Sequence, residues 1–259
     1  LDRGRALGAR LVAQGEATYP ALLDELSDAP PFLWVLGDIA LLQRSMIALV
    51  GARNASSLGT RMARSLARDL GAEGYCVVSG LARGVDAAAH LAALDTGTVA
   101  VQAGGVDTIY PAENTKLAED IAARGIRISD HPIGLQPMAR HFPARNRIIS
   151  GLSAATIVVE AAAKSGSLIT ARDALDLGRD VLAVPGHPMD ARASGCNMLL
   201  RDGATLVRDA NDVIEALRPI APKPAPELPL EVPTQPPKDR RSLQETAELN
   251  LKNLSTRGP

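Results

Sequence analysis

The chain has 259 residues, 46% of them hydrophobic and only 2% aromatic, with a formal net charge of −1. That length admits one large domain or two modest ones around an aliphatic core. Near-neutrality excludes a histone-like polycation but leaves room for a local anion-binding patch. No apolar run approaches the ~20 residues of a membrane helix, and no basic-plus-apolar leader opens the sequence, so a cytoplasmic protein with no membrane partner is expected. Cys76 and Cys196 are far apart and match no metal or redox spacing, which points to reduced, buried thiols.

Four textures follow one another. Residues 1–18 read as a helical piece, and residues 19–46 as a Pro-rich approach segment containing Tyr19-Pro20 and Pro30-Pro31. Residues 47–217 alternate short apolar runs with helical patterns, so 19–217 is expected to be one domain with its core at 47–217. Residues 218–237 are a Pro-rich linker, extended and semi-rigid. Residues 238–259 carry one short helical pattern, too short for an independent domain.

Strands are expected at Met46–Val50, Tyr75–Val78, Thr98–Val101, Ile126–Ile128, Thr156–Val159, Asp180–Val184 and Ala204–Val207. Between them, helical patterns cover Thr60–Leu70, Val85–Leu94, Thr115–Ala123 and Leu168–Leu177. Strands apolar throughout are buried on both faces, hence parallel and covered by helices. The fold class predicted is α/β: an extended Rossmann-like, mostly parallel, doubly wound sheet with helices on both faces.

Ligands of such sheets sit beyond the carboxyl ends of the strands, so the loops there carry the chemistry. Gly51-Ala52-Arg53-Asn54-Ala55-Ser56 turns into a helix that Ser56 or Ser57 can cap. Its open N–H groups suit a phosphate, with Arg53 beside them. Ser79–His90 holds Gly80 and Gly84 for close backbone approach, Arg83, and Asp86 one helical turn before His90, spaced for a hydrogen-bonded pair. Lys164-Ser165-Gly166-Ser167 forms a flexible, capped helix entry and an anion cradle. The second glycine of the first loop comes too late for GxGxxG, and no GxxxxGK[ST] loop occurs, so neither dinucleotide nor ATP is expected. The four histidines show no metal spacing and no GxSxG elbow appears; no cofactor, metal or catalytic group is expected.

The densest stretch is Phe142-Pro143-Ala144-Arg145-Asn146-Arg147-Ile148-Ile149. No acidic residue lies between Asp130 and Glu160, while Arg140, Arg145 and Arg147 all do. A parallel sheet gathers these loops on one edge, so Arg53, Arg83, Arg145, Arg147 and Lys164 are expected to border a single trough suited to a polyanion. Phe142 is the aromatic placed to stack a base there.

Taken in order, Gly51-Ala52-Arg53, Ser79–Asp86, Ala88-Ala89-His90, Tyr110–Asn114, Phe142–Ser153, Lys164–Ala171 and Val184-Pro185-Gly186 resemble the DprA/Smf family, DNA-processing protein A of bacteria. The resemblance implies single-stranded DNA binding, a homodimer and delivery of the protected strand to the RecA recombinase in natural transformation, with no reaction catalysed. It places DNA contacts at Arg53, at Arg145-Asn146-Arg147 and at Lys164, supported by the Gly and Ser loops. Ala52 departs from the family's usual serine, and the tail after the linker is too short for the winged helix that many members carry. The competing expectation is a nucleotide-processing Rossmann enzyme of the phosphoribohydrolase type, against which the missing Pro-Gly-Gly-x-Gly-Thr speaks.

Overall fold

The computed structural model describes residues 2–218 and, beyond them, Glu248. The linker expected at 218–237 and the tail at 238–259 thus fall almost wholly outside the described residues. One nine-stranded sheet organises the chain. Its strands are β1 (Arg10–Ala13), β2 (Phe32–Gly37), β3 (Met46–Val50), β4 (Cys76–Ser79), β5 (Thr98–Val101), β6 (Ile126–Ser129), β7 (Ala155–Val158), β8 (Asp180–Ala183) and β9 (Thr205–Leu206). Their spatial order is β1-β2-β6-β5-β4-β3-β7-β8-β9. All pairings from β6 to β9 are parallel.

The central strands are buried at every position, as continuous aliphatic runs require. Helices cover both faces: α3 (Ser57–Ala72), α4 (Val85–Ala92), α5 (Thr115–Arg124) and α9 (Ala210–Leu217) with Ile47, Leu49 and Val77 on one side; α6 (His141–Leu152), α7 (Ser167–Asp176) and α8 (Ser194–Arg201) with Ala48, Val50 and Val78 on the other. Each fully buried aliphatic side chain contributes roughly 1.5–3 kcal/mol. Alternation along β3 therefore ties both helical layers to one strand.

The N-terminal region differs from the sequence expectation. Helix α1 (Asp2–Ala6) is short, and Arg10–Ala13, expected to be helical, is an edge strand that pairs antiparallel with β2. Strand β2 in turn lies within the expected approach segment and pairs antiparallel with β6, Trp34 opposite Ser129. Strands of four to six residues show too little periodicity to declare themselves. The edge of β6 takes up β2, and β2 in turn takes up β1. The second short helix of this region, α2 (Ala21–Asp24), sends Leu23 into the core cluster of α6, where Gly151 leaves it room.

Candidate functional site

Strand order reverses at β3. The chain runs outward through β4, β5 and β6, then crosses back to place β7 on the other side of β3. Loops leaving β3 and β7 therefore diverge and leave a crevice above their carboxyl ends, where open α/β sheets bind ligands. A cavity of about 730 Å³ opens there, lined by Arg53, Phe142, Arg145, Asn146, Lys164 and the Ser165–Ser167 turn among others.

The floor of this cavity is rigid for identifiable reasons. Leu81, fully buried, holds a left-handed backbone (φ 57°) that costs a non-glycine residue about 1 kcal/mol or more. Its N–H donates to His90 Nε2 at 3.3 Å, and its carbonyl accepts from Asn114 Nδ2 at 2.9 Å. His90 Nδ1 lies 2.7 Å from Thr98 Oγ1, which donates to the Val77 carbonyl. This network assigns the ring proton to Nδ1. Burial, reinforced by the charge of Arg145, pushes the His90 imidazole down to about 3, so it is neutral. Asp86 sits in the first turn of α4 as a structural carboxylate, and the pair with His90 that the spacing allows does not form: Asp86 Oδ2 accepts from the N–H groups of Gly80 (3.1 Å) and Ala82 (3.3 Å).

Arg145 is the buried cation of the site. It is 4% exposed and donates from Nη1 to the Val101 carbonyl at 3.1 Å. Its guanidinium lies where a Cβ on Gly80 would stand, so glycine at position 80 is a steric requirement. Burial lowers Arg145 to about 10, against the favourable charge of Asp86 and with the opposing charge of Arg53. It remains protonated at neutral pH. Burial likewise raises Asp86, while Arg145 and the two N–H donors favour its ionised form. Arg145 is therefore a buried part of the cavity wall, a source of positive potential set back from the rim.

Exposed cations occupy the rim. The Arg53 guanidinium lies 5.3 Å from the centroid of the Phe142 ring, within cation–π range. Phe142 in turn packs against Tyr110, centroids 5.6 Å apart. Lys164, also exposed, lines the same cavity at the entrance to α7. Helix α7 starts with no side-chain cap on its N-cap residue Gly166. Ser165 Oγ and Ser167 Oγ lie 2.7 Å apart, and Asn146 Nδ2 reaches the Gly166 carbonyl at 3.4 Å. The turn satisfies most of its own donors: Ser167 N–H reaches Ser165 Oγ at 3.4 Å, Leu168 N–H the Ser165 carbonyl and Ile169 N–H the Gly166 carbonyl, which leaves the Gly166 N–H without a partner among the described residues. The positive end of the helix dipole beside a lysine still favours an anion. Among the described residues neither Arg53 nor Lys164 has an acidic partner.

Several expected contacts lie elsewhere. Arg147 is two residues from Arg145, about 200° around the helix, and the burial stripe of α6 runs through His141, Arg145, Ile148, Ile149 and Leu152. Arg147 therefore points away and pairs with Asp28 at 2.7 Å, tying α6 to the N-terminal region. Ser56 is not a cradle for an external anion. Its Oγ caps Gly59 N–H, while its own N–H and hydroxyl both donate to Glu160. The start of α3 is already occupied by an internal carboxylate. Arg83 pairs with Glu113 at 3.4 Å beside a smaller cavity of about 270 Å³, which shares Arg53, Phe142 and Arg145 with the larger one. Gly84, at φ 75°, packs its Cα against the Ala52 carbonyl and shapes the β3 loop from below. The trough expected to hold five cations thus has Arg53 and Lys164 at its rim, Arg145 buried in its wall and Arg83 in an annexe.

One cation was missed. Arg192, on the turn Ala191–Ala193 after β8, lines the larger cavity and pairs with Asp190 (3.1 Å) and Glu160 (3.4 Å). Its signal in the sequence was position alone: it follows a strand next to the crevice.

The family model for DNA recombination-mediator protein A matches residues 10–218. The chain is 41% identical over 216 residues to DNA processing protein DprA of Bacillus subtilis, covering 82% of this chain and 73% of that protein. Among solved structures, DprA from Streptococcus pneumoniae gives a TM-score of 0.76 at 41% identity, covering 80% of this chain and 73% of that one. A Helicobacter pylori DprA structure, described for its single-stranded DNA binding mode, gives 0.74 at 31% identity and covers 81% of this chain and 95% of that one.

Proposed function

Because the chain belongs to the DNA recombination-mediator protein A family, we propose that its cavity grips single-stranded DNA by the phosphate backbone. The observation that carries this reading is that Arg53 and Lys164, neither with an acidic partner among the described residues, line one crevice together with the start of α7. Cations and a helix start recognise phosphate oxygens without reading bases. Tyr110 and Phe142 are the aromatics beside it, and Phe142 already carries Arg53, so stacking is a minor contribution and sequence preference is weak. The relative from Helicobacter pylori supports the same ligand.

On this reading the protein breaks no bond. Asp86, the carboxylate in the crevice lining, is held by the N–H groups of Gly80 and Ala82, and Glu160 next to the crevice is held by Ser56 and Arg192. We extend the proposal to the role implied by the resemblance: a homodimer that protects incoming strands and passes them to RecA in transformation and recombination.

The test is a salt titration with oligo-dT, run beside a nucleotide-release assay on several nucleoside monophosphates. Log affinity is expected to fall with log salt by about 0.7 per neutralised phosphate, with no release of base. A salt-independent affinity, or turnover of a monophosphate, overturns the reading.

A further inference from the structure

A second cavity of about 730 Å³ lies on the far side of the Ser56–Glu160 contact, between the first turns of α3 and the loop after β8. Its walls hold Arg61, Arg64 and Arg68 from one face of α3, at spacings of three and four residues. The first three turns of α3 contain no acidic residue. Its floor is apolar, built from Val159, Val184 and the buried Cys196.

The acidic groups beside this cavity are already engaged. Glu160 is taken by Ser56 and Arg192, and Asp190 by Arg192 at 3.1 Å. Arg68 pairs with Asp69. Arg61 and Arg64 have no acidic partner among the described residues. Two free guanidiniums over a low-dielectric floor make a focused positive potential. Glu160 and Arg192 also join the two cavities: Arg192 lines the first, Glu160 lines the second, and they pair with each other.

We propose that Arg61 and Arg64 continue the strand path: single-stranded DNA leaving the Arg53–Lys164 groove crosses the Arg192 ridge and lays its next phosphates along α3. This rests on the groove binding single strands. It predicts an occluded length greater than the groove alone would give.

The test compares two oligo-dT lengths, about four and about sixteen nucleotides, the ends of the usual range of single-strand site sizes. The wild-type chain is expected to bind the longer one more tightly than site statistics account for. The double variant Arg61→Ala/Arg64→Ala should lose about tenfold on the long oligonucleotide and nothing on the short one. Its salt slope on the long one should fall by about 1.4, two phosphates' worth. Arg61→Lys/Arg64→Lys, which keeps the charge, should recover most of the loss. Equal long-strand affinity and slope for the alanine variant and the wild type overturn the α3 track and leave the groove standing. Short-strand binding that ignores Arg53→Ala and Lys164→Ala removes the groove itself, and the extension with it.

Discussion

Glu160 Oε2 accepts two hydrogen bonds from one residue, the backbone N–H of Ser56 at 2.9 Å and its hydroxyl at 3.1 Å. Glu160 comes from the end of β7 and Ser56 from the start of α3, so the contact clamps the two loops that diverge at the crevice. It also fills the positive end of α3 with a carboxylate, whereas no carboxylate is bonded to the start of α7 at the groove.

Ser56→Ala removes a helix cap and one arm of that clamp, and is expected to cost about 1 kcal/mol in urea unfolding. Oligonucleotide affinity should stay within about twofold, since Ser56 already faces an internal anion. A loss of affinity matching that of Lys164→Ala would put Ser56 back in the binding site.

The arginines of the Arg-Asn-Arg segment and its neighbours should separate by readout. Arg53→Ala and Lys164→Ala are each expected to weaken oligo-dT binding and lower the salt slope by about 0.7, with unchanged unfolding curves. Arg147→Ala should leave affinity alone and cost at most about 1 kcal/mol, because its exposed pair with Asp28 is screened. Equal affinity losses for Arg147→Ala and Arg53→Ala would show that the strand also runs along the outer face of α6.

Arg145→Ala is expected to behave as a folding variant. It strands the buried Asp86 carboxylate without its neighbouring cation, a change that costs on the order of 3–5 kcal/mol. Urea unfolding measures it directly. A loss below about 1 kcal/mol, with strongly reduced DNA affinity, would move Arg145 from the wall to the ligand.

His90 predicts the acid side of the stability profile. Its imidazole is held at about 3, below the ordinary 6.5, so the unfolded chain binds the extra proton first. The contribution is whole above pH 6.5 and is lost as pH falls from 6.5 toward 3, by at most about 1.4 kcal/mol per unit. Asp86, raised by burial, works in the opposite sense. The informative quantity is therefore the difference between the wild type and His90→Gln, measured at pH 7 and pH 5. That difference should shrink at the lower pH. A constant difference would mean that His90 titrates normally.

The parallel core was legible because each of its strands is an uninterrupted aliphatic run followed by a helical pattern. Strands β3 and β5 fall where Met46–Val50 and Thr98–Val101 predict them. Strands β1 and β2 were not, since such short runs take their conformation from the edge they join, β2 pairing with β6 and β1 with β2. Lys164 and Arg53 could be nominated from the sequence because loops after strands of a parallel sheet share one edge. What the sequence could not do was orient side chains within that edge. Arg145 and Arg147 look equivalent on paper, yet about 200° of helix rotation buries one in the cavity wall and ties the other to Asp28. Glu160 and Ser56 are 104 positions apart, and their meeting closes the start of α3 to an external anion. The sequence by itself determined the layers, the family and the loops that carry charge, because those depend on local pattern. Only the tertiary structure decided which charges face the ligand, because that depends on helix phase and on contacts between residues remote in the chain.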